Sequence, residues 1–160
     1  MVLALKNLLF TVLVPGTVAG YLPWLVTRGE PFSWGAWTAL ALLLFAAGGA
    51  IYFWCLWDFA SFGRGTPAPI DAPKKLVVRG LYHYTRNPMY LGVLTVILGW
   101  AVLLQAPGLL IYGACVGTCF QLFVVFYEEP QLLRTFGESY REYQARVGRW
   151  LPRIGLGSSI

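Results

Sequence analysis

Charge is what this 160-residue sequence has least of. Asp, Glu, Lys and Arg make up 12% of it, about half the share of an average soluble domain, and that shortage excludes a soluble globular protein. Disorder is excluded from the other side, because 16% of the chain is Phe, Trp or Tyr and apolar residues dominate. A single histidine and three cysteines leave little for metal or disulfide chemistry. Cys115 and Cys119 are four residues apart on one helix face, too distant to bridge within a regular helix. With no His or carboxylate in the same stretch, they read as small packing residues alongside Gly113 and Gly117. The length suits one domain over residues 1–160 with no separate soluble module. These absences leave a small integral membrane protein.

Charge-free runs show where it crosses. Residues 7–27, 31–57 and 88–127 carry no charge, and a crossing helix needs about 20 mainly apolar residues. The third run is split by Gln105-Ala106-Pro107-Gly108, which is turn chemistry. Four spans follow, at about residues 5–26, 34–57, 89–104 and 109–127. Trp34 and Trp54 are separated by about 30 Å of helix, matching the hydrocarbon thickness between two interfaces. Pro15 predicts a kink in the first span, tolerable where neighbouring helices satisfy a freed carbonyl. A cleavable signal is the alternative for residues 1–26, but the apolar run continues through Leu25, long for a signal core.

Arg64, Lys74, Lys75, Arg79 and Arg86 lie between the second and third spans, and Arg134, Arg141, Arg146, Arg149 and Arg153 in the tail. The positive-inside rule places both groups, and both termini, in the cytoplasm. The expected fold is therefore all-α, a polytopic membrane protein with four transmembrane helices and a C-terminal amphipathic cytoplasmic helix.

Polar chemistry is confined to residues 58–92 and 128–153. Gly63-x-Gly65 lacks the third glycine and preceding strand of a dinucleotide fingerprint. Pro67, Pro69 and Pro73 stiffen the loop, as a ligand cover or as a plain connector. Pro88 suits the first turn of the third span, which puts Arg86 and Asn87 at a helix N-terminus that favours an anion. Arg86 is either a bidentate carboxylate or phosphate binder or a positive-inside anchor. His83 reads as an exposed interfacial side chain. Glu128 and Glu129 stand at the expected end of the fourth span, where desolvation requires a nearby cation, an arginine or a ligand ammonium. A helix cap is the alternative, although glutamate at a helix C-terminus opposes the macrodipole. Beyond Pro130, Leu132, Leu133, Phe136, Tyr140, Tyr143 and Val147 fall in an arc of about 100° of one helix, opposite Arg134, Glu138, Arg141, Glu142 and Arg146.

The ordered set Gly80-x-Tyr82-x-x-x-Arg86-Asn87-Pro88-x-Tyr90-x-Gly92, Glu128-Glu129-x-x-Leu132, Phe136-Gly137-x-x-Tyr140-x-x-Tyr143 and Pro152-Arg153 resembles the isoprenylcysteine carboxyl methyltransferase family, relatives of the phospholipid methyltransferases. Gly65-Thr66-Pro67-Ala68-Pro69 resembles its prokaryotic branch, which implies a prokaryotic inner membrane. The resemblance implies S-adenosylmethionine as methyl donor and a lipophilic acceptor or lipid entering from the bilayer. It implies a cofactor site at Tyr82, Arg86, Asn87, Pro88, Tyr90, Gly92, Glu128, Glu129 and Tyr143, with Arg86 and Glu129 as the catalytic candidates. Neither a metal nor a nucleic acid is implied. Eukaryotic members carry His where Asn87 stands, so no imidazole role carries over. In-line methyl transfer needs positioning and exclusion of water rather than a metal or covalent nucleophile. A nicotinamide-dependent reductase of the sterol-reductase type, which shares an Arg-x-Pro-x-Tyr pattern, and a non-catalytic membrane scaffold are the competing readings.

Overall fold

The computed structural model describes residues 2–28, 34–63 and 75–153. Arg64, Gly65, the Pro67–Pro69–Pro73 loop and Lys74 lie outside the described residues. The described elements are helical, and one isolated bridge joins Thr85 to Gly148.

Among the described residues, three helical runs are long and apolar enough to cross a membrane, Leu5–Val26, Ala36–Gly63 and Pro107–Phe136. The first comprises α1 (Val2–Leu13) and α2 (Leu22–Val26), with a π-helical turn at Thr17–Tyr21 between them. Helix α3 (Ala36–Asp58) runs into a second π turn, Phe59–Gly63. Helix α4 (Pro88–Leu104) is apolar but only 17 residues long, about 25 Å at 1.5 Å per residue. Gln105 takes the left-handed conformation and Pro107 opens α5 (Pro107–Phe123), so the Gln-Ala-Pro-Gly turn stands where the sequence puts it.

Prolines shape the first run. Pro23 has no N–H to offer the carbonyl of Ala19 four residues back, and such a carbonyl must find another donor in an apolar medium. Trp100 Nε1 supplies it at 2.9 Å, and Tyr112 Oη donates to the neighbouring Val18 carbonyl at 2.7 Å. The π turn thus ties the first run to α4 and α5.

Glycine decides how closely α3 and α4 pack. A Cβ on Gly48 would lie 2.7 Å from the Gly92 carbonyl, and one on Gly92 would lie 2.9 Å from the Gly48 carbonyl. Gly99 lies equally close against Phe45. Of the small residues expected to admit a neighbouring helix on α5, Gly113 and Gly117 face Ile97 and Leu94 of α4, whereas Cys115 and Cys119 are exposed.

The fourth apolar run differs from expectation at its end. It does not stop at Tyr127 but passes through a third π turn, Val124–Glu128, into α6 (Glu129–Phe136). Pro130 sits in the first turn of α6, and the Glu129 N–H reaches back five residues to the Val124 carbonyl. The wide turn absorbs the missing proline donor and the helix continues. Both glutamates consequently lie inside a helical run, and the macrodipole conflict expected at a C-terminus does not arise. The tail helix differs too. Gly137, at φ +53°, ends α6 and a separate α7 spans Glu138–Arg146. The apolar arc still converges, because Tyr140, Tyr143 and Val147 are buried together with Leu132, Leu133 and Phe136 packed on them.

Candidate active site

Three short stretches meet beside the first turn of α4. The first is a 3₁₀ turn, Gly80–His83, which carries Tyr82. Its backbone is pinned to the end of α3: Arg79 Nε lies 3.0 Å from Oδ1 of the buried Asp58. Gly80 has φ +58°, and a Cβ there would sit 2.5 Å from Asp58 Oδ2. Glycine is needed both for that backbone conformation and for the close approach. His83 is exposed on the same turn.

The second stretch is the tail after α7, which straps onto residues 85–87. The Arg86 N–H donates to the Gly148 carbonyl at 2.9 Å. Thr85 Oγ1 and Asn87 Nδ2 both donate to the Arg149 carbonyl, at 2.9 and 3.1 Å. Tyr143 Oη donates to the Tyr82 carbonyl at 2.7 Å, and Trp150 Nε1 donates to Gln121 Oε1 on α5 at 2.6 Å. Asn87 thus acts as part of a latch on the tail.

The third is the run from the end of α5 into α6, where the glutamate pair divides its partners. Tyr90 Oη donates to Glu128 Oε2 at 2.8 Å. Glu129 instead receives a fork from Arg149, Nε to Oε1 at 2.8 Å and Nη2 to Oε2 at 2.9 Å. Arg86 Nη1 is also 2.9 Å from Glu129 Oε1. That contact is an ion pair by distance but is not aligned as a hydrogen bond, so among the described residues Arg86 Nε and Nη1 are buried with no acceptor. Two carboxylates and two guanidinium groups balance formally, which makes burial of the cluster tolerable.

Between these stretches lies a cleft that is partly continuous with solvent. Tyr82, Arg86, Asn87, Tyr90, Glu128, Glu129 and Tyr143 line it, so most of the expected site residues come together. Pro88 and Gly92 are not among the lining residues. Pro88 is buried as the first residue of α4, and Gly92 is taken up by the contact with Gly48. Opposite the polar cluster the walls are apolar, formed by Phe59, Leu76, Val77, Phe123, Val124 and Leu132, with Tyr127 among them.

Two contributors were not foreseen as site residues. Tyr140 lines the cleft at 2% exposure, and Arg149 holds Glu129 from outside the cleft. Tyr140 was legible as a motif residue on the apolar arc, and Arg149 only as one more basic residue of the tail. Burial, with Glu129 nearby opposing ionisation and Arg86 favouring it, lifts the Tyr140 phenol from 10.0 to about 12. Burial likewise raises Tyr82 well above its ordinary value, and raises Tyr143. The three phenols are neutral donors at physiological pH. The Glu129 hydrogen bonds raise Arg149 further above the range where a guanidinium would lose its proton.

Residues 36–139 match the phospholipid methyltransferase family, a span that holds α3 through α6 and the glutamate pair. Over 74 residues, 46% of this chain, the sequence is 39% identical to a methanethiol S-methyltransferase of Pseudomonas deceptionensis, covering 27% of that protein. Over 73 residues it is 36% identical to methanethiol S-methyltransferase 1 of Bradyrhizobium diazoefficiens, covering 24% of it. A methanethiol S-methyltransferase of Crocosphaera subtropica is 31% identical over 86 residues, 54% of this chain and 32% of the relative. The match therefore spans about a quarter to a third of these relatives' own length.

Proposed function

The chain belongs to the phospholipid methyltransferase family, and from that premise we propose that it transfers a methyl group from S-adenosylmethionine to a lipophilic acceptor that enters from the bilayer. The observation that carries the reading is the charge-balanced Glu128–Glu129–Arg86–Arg149 cluster beside a largely apolar cleft, with both glutamates inside a membrane-capable helical run.

The residues fit the donor. An amino-acid zwitterion needs one anion and one cation at short range. Among the described residues Glu128 has a single hydrogen bond, from Tyr90, and retains acceptor capacity for an ammonium. Arg86 has two buried N–H positions without acceptors, suited to a carboxylate. Glu129 is already held by arginine, so the ammonium falls to Glu128. Tyr82, Tyr140 and Tyr143 offer aromatic faces for the adenine or for a sulfonium by cation–π attraction. When bound, S-adenosylmethionine supplies an electrophilic methyl group.

For the acceptor, we infer a small apolar thiol in preference to an amine or carboxylate. Both cleft carboxylates already have partners, leaving no free base to strip an ammonium, and Arg86 is assigned to the donor. A neutral thiol brings neither a carboxylate that would need a second cation nor an ammonium that would need a base, and sulfur is intrinsically a strong nucleophile. The thiol methylation named in the matched relatives supports the same class.

The topology that goes with this reading has four crossings, α4 being the shortest, both termini cytoplasmic, and the tail elements α6 and α7 at the cytoplasmic face of a prokaryotic inner membrane. Calorimetric titration of the detergent-solubilised protein with S-adenosylhomocysteine, with NADPH in parallel, tests the donor. Saturable binding of the first alone is expected. Binding of NADPH alone would establish the reductase reading instead, and folded protein that binds neither would leave a scaffold.

A further inference from the structure

The two arginines at Glu129 are not equivalent, and the difference has a consequence for the ligand. Guanidinium and carboxylate prefer a two-pronged pairing, and Glu129 has one such face to give. Arg149 takes it, with both prongs within 2.9 Å. Arg86 is left with a single misaligned approach to Glu129 at 2.9 Å and a contact with the Tyr140 hydroxyl, while its side chain is only 9% exposed and its Nε and Nη1 have no acceptor among the described residues. The backbone enforces this order. Gly148 accepts the Arg86 N–H, and the Arg149 carbonyl accepts from Thr85 and Asn87. The two guanidinium groups therefore reach Glu129 from adjoining, paired strands of chain, with Arg149 delivered squarely to the carboxylate.

We propose that Arg149 is a positioning residue for the methyl donor: by occupying Glu129 it prevents Arg86 from collapsing onto that carboxylate, and so keeps Arg86 available to the carboxylate of the ligand. The inference rests on the donor reading above. Without Arg149, Glu129 has one remaining partner, and a two-pronged Arg86–Glu129 pair closes the anion site. Arg149 itself does not line the cleft, and its influence passes through Glu129.

The test uses two ligands that differ only in the group at issue, S-adenosylmethionine and its decarboxylated analogue, titrated calorimetrically into the detergent-solubilised protein. Wild-type protein should favour the carboxylate-bearing ligand by about tenfold or more, the size expected for a hydrogen bond to a charged group. Arg149→Gln should lose about tenfold for S-adenosylmethionine and less than about twofold for the analogue, so that the preference disappears. A second substitution, Glu129→Gln on top of Arg149→Gln, removes the competing anion and should restore the preference. An equal loss for both ligands would reduce Arg149 to a structural role and overturn the proposal, as would a double variant that fails to recover.

If Arg149→Gln does not fold, Arg149→Lys decides. It keeps the charge but not the fork and should narrow the preference, and an unchanged preference overturns the proposal. Wild-type protein that binds both ligands equally also overturns it, whereas wild-type protein that binds neither overturns the donor reading itself.

Discussion

Glu128 and Glu129 are adjacent in the chain, and the site uses them differently. Glu129 is bound by two arginines and is an element of the scaffold. Among the described residues Glu128 has the Tyr90 hydroxyl as its hydrogen-bond partner, and it is the carboxylate we assign to a cation. Glu128→Gln should therefore weaken S-adenosylhomocysteine binding by about 10- to 100-fold, the worth of a charge-assisted hydrogen bond, while the unfolding midpoint in detergent stays close to wild type. Unchanged affinity in a folded variant would remove Glu128 from the site. The pair, together with Arg86, was legible in the sequence because adjacent carboxylates at a membrane boundary demand cations. Which carboxylate each cation takes was not legible. That depends on residue 149 arriving from the far end of the chain, and nothing in its local sequence distinguishes Arg149 from Arg146 or Arg153.

At the scale of elements, the α3–α4 contact carries the site. Tyr90 projects from α4, and the pinned turn before it rests on the end of α3. Gly48→Ala would drive a methyl to 2.7 Å from the Gly92 carbonyl. Backbone cannot yield as a side-chain tip can, so a loss of about 1–3 kcal/mol is expected. Gly49, next to it, has nothing within 4 Å of its Cβ position, and Gly49→Ala should be neutral or gain up to about 1 kcal/mol from helix propensity. Chemical denaturation in detergent compares the two, and equal effects would contradict the close contact. The sequence marks both glycines alike as small residues; only the crossing of the helices separates them. The tail teaches a related lesson. Its apolar arc predicts which side chains pack together, and Tyr140, Tyr143 and Val147 are buried with Leu132, Leu133 and Phe136 half-buried against them, but Gly137 at φ +53° divides the arc between two helices. Periodicity reports which faces are apolar and is blind to a one-residue break that preserves the partners.

At the scale of the molecule, the tail and the membrane helices form one unit through buried phenols. Tyr82, Tyr140 and Tyr143 join the turn, the cleft and α7, and burial raises all three. A group whose pKa is higher folded than unfolded favours the folded state below the unfolded value, and that contribution is lost as pH rises through the folded one. Stability should accordingly hold up to about pH 10 and fall toward pH 12 and above. Tyrosinate absorbance should show these phenols ionising only as the fold is lost, and full ionisation near pH 10 in folded protein would contradict their burial. The four-crossing arrangement is testable by impermeant thiol labelling, with Cys55, Cys115 and Cys119 replaced by alanine. Arg28→Cys and Glu138→Cys should label from opposite sides of the membrane, and labelling from the same side would overturn it.

Charge-free runs and the Gln-Ala-Pro-Gly turn determined by themselves that the chain is built of apolar helices and where α4 turns into α5. Both are local: a segment without charge can be buried in lipid whatever its neighbours are, and Pro-Gly beside a polar residue favours a turn with the proline in the first turn of the helix that follows. The motif residues likewise sufficed to gather most of the cleft. The end of the last apolar run was decided only in the tertiary structure, because a π turn lets the helix pass Pro130 and changes a terminus into an interior. So was the division of Glu129 between Arg86 and Arg149, since residues 20 positions apart along the chain in the fork meet only when the tail folds back across the start of α4.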